Sequence, residues 1–512
     1  MNLYMDMLNR ANLAYNQHQY DGVQFCLSNE IIIKLGIYGG VIADEMGLGK
    51  TLTVIGTMVA NPLANTLIVL PPVLLQQWQK EIFRATGEQA LIYHGQQKKT
   101  ISIRELKSNR VVLTTYNMIR SQSTPKATKT KAKTTKKATT KAKTTKATTT
   151  NLLHQVQWDR VIFDEAHHLR NKNLAHMGAI ELDARIRWLI TGTPIQNNVS
   201  DFYNLCAVMG LDASIYSDKE MSASVISTLV LKRTKRLVPS TNLPEVITHV
   251  IDVDWRADER LARDVHCTLQ FTNTPDTGGL YTKKIESTGI LQRMMRAKQC
   301  CILPSLMQDD LKKFKLDGKY AVSSSSKIDA VIDTVCENAG NGSGKLIFCH
   351  FRNEIDVISE RLKERGVRSA TFDGRTSSTT RQAILSDPNV GIIILQIQTG
   401  CEGLNLQENY SEVYFVSPHW NPSVEAQAIG RCHRMGQKKQ VYVYRFEMAG
   451  FSQVMGQTQG QQLLQGQQGQ QGQQQEEDEE EEQEQRQMSM DKYIRTVQLR
   501  KQDMTDEVLN HK

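Results

Sequence analysis

Gly47, Gly49, Lys50 and Thr51 stand within five residues in the string "DEMGLGKT", Asp44 to Thr51. Residue types in that order suit a phosphate chain. The glycines let backbone N–H groups close on an anion, and the following helical pattern offers its N-terminus to the same charge. Lys50 can reach β- and γ-phosphates, and the Thr51 hydroxyl can sit on Mg²⁺. The general form of such a loop, G-x-x-x-x-G-K-[ST], wants Gly where this chain has Asp44. On this string alone, a glycine turn before a core helix stays open as the alternative.

A second string, "RVIFDEAHHLRN", is an apolar strand that ends in Asp164 and Glu165. An acid there can hold Mg²⁺ through water, and its neighbour can polarise an attacking water. Two acids at a strand end are common; two acids in this string, downstream of that loop, point to the other half of a nucleotide site. "LITGTPIQN", Leu189 to Asn197, is a third strand end, with Thr191 and Thr193 placed to sense the γ-phosphate. Far downstream, "QAIGRCHRMGQ" sets Arg431 and Arg434 three residues apart, a spacing expected to put both on one helical face. Permanently charged guanidinium groups suit the spreading charge of phosphoryl transfer and can contribute roughly 10³–10⁵ in rate. Standing alone, the string would read as a pair of solvated surface arginines.

The elements that would position these groups alternate between short β-rich runs and helical patterns. "TLIVLPP", "RVVLTTY", "DRVIFDE" and "RWLITGTP" form one set; "GKLIFCH", "SATFDG", "VGIIILQ", "EVYFVSP" and "QVYVYRF" form another. Apolar runs separated by helices predict strands buried on both faces, hence parallel α/β sheets, and two sets predict two of them. Residues 200–325 read as more helical and less regular. The second set has no glycine phosphate loop of its own, so its arginine pair is expected to complete the site of the first.

Two biased tracts interrupt the pattern. Residues 121–150 hold nine Lys and no acid, and 476–484 hold eight acids and no base. Neither composition can bury a core, so both read as solvated inserts. They nearly cancel within the net charge of +8, leaving a mildly basic remainder that suits a polyanion without demanding one. Helical spacing resumes in "MDKYIRTVQLRKQDMTDEVL", at Tyr493, Ile494, Val497 and Met504. The nine Cys form no C-x-x-C pair, as in reduced thiols of an intracellular protein. "MNLYMDMLNR" lacks the apolar core of a signal peptide, and no apolar run approaches a membrane span, so a soluble intracellular protein is expected.

In order, "DEMGLGKT", "DEAHHLRN", "RWLITGTPIQN", "LKRTK", "GCEGLNLQ" and "HWNPSVEAQAIGRCHRMGQ" resemble the superfamily-2 helicase motifs of the SNF2 family. That family writes its phosphate loop with Asp at position 44. "HQYDGVQF" is similar to its H-Q-x-x-G-V-x-W segment, making Gln19 the candidate adenine reader. "LIVLPPVLLQQW" and "VVLTTYNM" are similar to the motifs that touch the nucleic-acid backbone, and "MDKYIRTVQLRKQDM" to the brace helix.

The resemblance implies an ATP·Mg²⁺-dependent motor acting on duplex DNA largely independently of sequence. The fold it implies is two RecA-like parallel-sheet lobes with helical protrusions and two low-complexity inserts. Lobe one is expected at 1–240 with the insert at 121–150, a linker and helical protrusion at 241–325, and lobe two at 326–450. A Gln/Glu-rich insert at 451–488 and a brace helix at 489–512 follow. Lys50, Asp164, Glu165, Arg431 and Arg434 are implied as catalytic. Gln19, Asp44, Gly47, Gly49, Lys50, Thr51, Gly403 and Gln427 are implied to bind nucleotide, and Thr51 and Asp164 to hold the metal. The resemblance also implies nucleosomes or a transcription or repair complex as partners, and a nuclear compartment, or a viral factory or the cytoplasm if the chain is viral.

Cys401 departs from the family, standing where a second Gly is usual. The "DEAHHLRN" spelling is similar to the RAD5/RAD16-like branch, without a Cys/His constellation for its RING insertion. Two competing readings are a strand-separating DNA or RNA helicase and a nonenzymatic DNA-bound scaffold.

Overall fold

Runs of aliphatic and β-branched residues become central strands when both of their faces can be covered, and this chain supplies helices for both faces. The structure, a computed structural model, describes residues 2–122, 151–217, 219–238, 243–269, 289–400, 404–451 and 488–509. Cys401, Gly403 and most of the two biased tracts lie outside them. The chain divides into two units, Met1–Asn242 with Met504–Lys512, and Leu243–Asp503.

The first unit is a seven-stranded parallel sheet. Its strands are β1 (Tyr38–Ile42), β2 (Thr66–Leu70), β3 (Leu91–Ile92), β4 (Val111–Thr115), β5 (Trp158–Asp164), β6 (Ala184–Ile190) and β7 (Val230–Leu231), ordered β3-β4-β2-β5-β6-β1-β7. Successive side chains of a strand point to opposite faces. Ile162 therefore enters the layer built with α1 (Asn2–Arg10), α2 (Gln17–Ile31), α3 (Lys50–Ala60) and α4 (Leu75–Thr86), while Val161 and Phe163 enter the layer containing Phe202 and Leu205. Burying each such side chain stabilises by about 1.5–3 kcal/mol. The order matters for the chemistry. β5, β6 and β1 are consecutive and parallel, so their carboxyl ends, which carry Asp164, Thr191 and the phosphate loop, open on one edge.

The second unit is a six-stranded parallel sheet. Its strands are β8 (Val246–Val253), β9 (Gly344–Cys349), β10 (Ala370–Phe372), β11 (Ile392–Gln396), β12 (Tyr410–Phe415) and β13 (Val441–Met448), ordered β10-β11-β9-β12-β13-β8. Ile347 and Cys349 face one core layer; Leu346 and Phe348 face the other.

Residues 241–325 differ from the expected linker and protrusion. β8 lies inside that range and pairs with β13 in register from Val246↔Val441 to Val253↔Met448. The helix Ile290–Ile302 sends Ala297, Cys300, Cys301 and Ile302 into the core that also holds Val331 and Ile347. The physical reason is edge position. β8 is paired on one side only, and most of its side chains are exposed, so its sequence lacks the doubly buried apolar signature.

The helix Met490–Leu509 begins inside the second unit. The Asp491 carboxylate accepts from Lys327 Nζ, from the Ser417 hydroxyl at 2.9 Å and from Met448 N–H at 3.0 Å. Lys327 and Asp491 side chains are fully buried, so each requires the other.

Candidate functional site

The chain leaves β1 into a loop that turns at Gly47 (φ +96°) and Gly49 (φ +82°). Those backbone angles are strained for any residue with a Cβ, which is why glycine stands at both. Gly49 caps α3, so the unpaired N–H groups of its first turn face the loop interior, and an anion is favoured there. Lys50 Nζ curls back and donates to the Asp44 carbonyl at 2.8 Å and, more weakly, to the Glu45 carbonyl at 3.4 Å. Burial lowers the Lys50 pKa, and the Glu165, Asp44, Asp164 and Glu45 carboxylates partly oppose that shift. A phosphate chain replacing those carbonyls would favour the charged form.

Asp164 ends β5 with little exposure. Trp78 Nε1 donates to its Oδ2 at 2.7 Å, the Glu165 N–H donates to its Oδ1 at 3.0 Å, and the Tyr116 hydroxyl donates to its main-chain carbonyl at 2.6 Å. Burial first, and the neighbouring Glu165 second, raise the Asp164 pKa to about 7 against those hydrogen bonds. Glu165 itself sits at φ +53°, a strained angle for a residue with a side chain, and its carboxylate lies 3.3 Å from His167 Nδ1. Beyond β6, the Thr191 hydroxyl accepts from Thr193 N–H at 3.2 Å, and Gln196 Nε2 donates to the Thr193 hydroxyl at 3.1 Å. A Cβ at Gly192 would lie 3.6 Å from Lys50 Nζ, so this third strand end closes on the loop. The two expected metal ligands, the Thr51 hydroxyl and the Asp164 carboxylate, are hard oxygen donors of the kind Mg²⁺ takes.

Gln19 is fully buried at the start of α2. Its Nε2 approaches the Leu48 carbonyl at 3.4 Å, and His18 Nε2 bonds the same carbonyl at 3.0 Å. The Asp44 carboxylate is engaged by a residue that the motif reading left without a role. Arg233 donates from Nε to Asp44 Oδ1 at 3.0 Å and from Nη2 to Oδ2, while its Nη1 donates to the His18 carbonyl. Asp44 is therefore an internal anchor of the loop, which explains why aspartate can stand where such loops usually have glycine.

In the second unit the arginine pair departs from the expected helical face. The helix Pro422–Ile429 carries the buried Gln427 and is capped by Gly430, and Arg431 and Arg434 lie in the turns beyond it. Arg431 is 7% exposed, and among the described residues nothing bonds to its Nε. Arg434 Nη1 donates to Asn405 Oδ1, and Leu406 N–H donates to the Arg431 carbonyl at 3.0 Å. The string following Gly403 is thus brought beside the arginine string, although Gly403 itself lies outside the described residues. Trp78, Tyr116 and Arg233 were missed as site residues. Each stands in a quoted string, "LLQQW", "TTYNM" and "LKRTK", but only the fold shows what its polar atom meets.

Residues 18–306 match the model of the SNF2-related domain, and residues 326–436 match the helicase conserved C-terminal domain. The chain is 26% identical over 453 residues to the ISWI chromatin-remodeling complex ATPase ISW2 of Saccharomyces cerevisiae, a match covering 80% of this chain and 37% of that protein. It is 28% identical over 459 residues to the probable global transactivator of Orgyia pseudotsugata multicapsid polyhedrosis virus, covering 84% and 85%. The Sulfolobus solfataricus SWI2/SNF2 ATPase core in complex with dsDNA aligns at 22% identity and a TM-score of 0.38, covering 85% and 88%. The chain thus spans well under half of the yeast relative and most of the viral one. Among the described residues no helix is long and apolar enough to cross a membrane.

Proposed function

Since this chain belongs to the SNF2 family, we propose that it is a DNA-stimulated ATPase that moves along duplex DNA and displaces what is bound there. One observation carries the reading: Lys50, at the head of α3, lies in the field of both Asp164 and Glu165 at the end of a nearby parallel strand. The phosphate loop binds the triphosphate, with Lys50 leaving the Asp44 carbonyl for the β- and γ-phosphates. Thr51 and Asp164 would hold Mg²⁺, which when bound would neutralise developing charge on the phosphates. Glu165, aimed by its strained backbone, accepts the proton of the attacking water.

Arg431 and Arg434 supply positive charge to the transition state when nucleotide and DNA are engaged. The buried Arg431 guanidinium supports that role, because a desolvated charge short of acceptors favours an anion. Contacts to DNA are made chiefly to phosphates, so sequence selectivity is weak. The fold family of ATPases implies nucleotide use; duplex DNA as activator, nucleosomes or a polymerase or repair complex as targets, and a nuclear or viral setting belong to this proposal.

The test is phosphate release by the purified chain with duplex DNA, single strands or RNA. Stimulation by the duplex is expected. Activation by single-stranded RNA alone would overturn the assignment, and unwinding of a labelled duplex would move it to a strand-separating helicase.

A further inference from the structure

We propose that Arg233 is a positioning residue that couples reading of the nucleotide base to seating of the phosphates, and so sets the preference for ATP over other nucleoside triphosphates. The inference rests on the ATPase reading above. Three strings distant in sequence meet at this one guanidinium. Its fork holds both oxygens of Asp44, which is fully buried and opens the phosphate loop. A third donor, Nη1, holds the His18 carbonyl, one residue before Gln19 on α2. Its own backbone is stitched to the loop as well: Glu45 N–H donates to the Arg233 carbonyl at 2.8 Å, and Ala43 N–H to the Leu231 carbonyl at 2.7 Å.

α2 thus touches the phosphate loop at two points on either side of Gly47. One is the Leu48 carbonyl, shared by His18 and Gln19; the other is Asp44, reached through Arg233. Two attachment points fix an orientation where one leaves a pivot. Gly22 keeps the approach close, because a Cβ there would lie 2.9 Å from Thr53 Cγ2 and 3.0 Å from Arg233 Nη2. The bidentate fork is what lysine cannot reproduce. Without it, the hydrogen bonds from α2 to the loop among the described residues are those at the Leu48 carbonyl. The reader of the base then drifts relative to phosphates that every nucleoside triphosphate presents alike.

The experiment compares ATP and GTP hydrolysis, with duplex DNA, by the full chain and its Arg233→Lys and Asp44→Asn variants, with thermal unfolding recorded for each. Asp44→Asn keeps the side-chain volume but removes the charge and sets an NH2 donor against one of the two guanidinium donors, breaking the bidentate pairing, so it serves if Arg233→Lys does not fold. In either variant the ratio of kcat/KM for ATP over GTP falls about tenfold, and the double variant loses no more than the worse single one. Binding of fluorescent ATP and GTP analogues without DNA shows the same convergence. A purely structural role would weaken both nucleotides equally, and that result overturns the inference. A wild-type chain that prefers ATP, beside variants that keep the preference, also overturns it alone. A wild type that hydrolyses neither nucleotide overturns the ATPase reading and this inference with it.

Discussion

Trp78 and Asp164, 86 residues apart, are joined by a buried 2.7 Å hydrogen bond from the indole N–H to one carboxylate oxygen. The other oxygen is held by the next backbone amide, so the carboxylate plane is fixed before any metal arrives. Trp78→Phe keeps most of the ring volume and removes the donor. It is expected to weaken the Mg²⁺ requirement curve and turnover by about 10–100-fold, with little loss of thermal stability. A Mg²⁺ titration of nucleotide binding separates this from a general packing defect. Unchanged Mg²⁺ dependence would show the bond to be incidental.

Lys50 Nζ is held by the Asp44 and Glu45 carbonyls, which a phosphate chain would replace under the proposed function. Lys50→Ala should reduce hydrolysis to background while leaving duplex binding near the wild-type value, because α3 and the loop keep their glycine turns. Gel-shift and phosphate-release measurements on the same preparation decide it, and retained turnover contradicts the site assignment.

Arg431 lies buried in a turn, and its Nε has no partner among the described residues. Arg431→Lys keeps the charge but not the fork, and DNA-stimulated turnover should fall by about 10³-fold or more. Nucleotide affinity without DNA should change little. A fall in affinity without a fall in kcat would assign Arg431 to ground-state binding.

His266 is buried and neutral, with Nδ1–H donating to the Ala262 carbonyl at 2.7 Å and Nε2 accepting from Met490 N–H at 3.0 Å. Burial lowers its pKa to about 4, below the usual value near 6.5. The folded state therefore binds a proton less readily than the unfolded chain. Its contribution to stability is complete above about pH 6.5 and is lost as pH falls toward 4. Denaturant unfolding between pH 7.5 and 4.5 should show this slope, and His266→Gln should flatten it. An unaltered slope in the variant would place the titration elsewhere.

Asp491→Ala leaves the Lys327 ammonium buried without its partner, at an expected cost of about 3–5 kcal/mol. Lys327→Met in the same chain should recover much of it, as read by chemical denaturation. If the double variant is as unstable as the single one, the pair is not the origin of the loss.

Much of the first unit was legible because its chemistry sits at strand ends, and apolar runs announce strands. Asp164 and Lys50 could be named from their strings, since each string contains both the element and the group it presents. Arg233 could not, because 189 residues separate it from Asp44 and only the sheet order brings them together. The spacing of Arg431 and Arg434 suggested a helical face, but Gly430 ends the helix one residue earlier. β8 was hidden for a different reason. Its outward face is polar and apolar in no clean alternation, because a one-sided edge imposes weaker demands than a central strand.

The bond between Lys327 and Asp491 spans 164 residues, and the acid is made last. At about 5–20 residues per second, a ribosome takes roughly 8–33 seconds to supply it. Throughout that interval the Lys327 ammonium lacks its buried partner, so closure of the second unit around it is disfavoured until residue 491 has been added. Nascent chains halted before residue 488 should be cleaved rapidly there, whereas the first sheet, its seven strands already made, should resist.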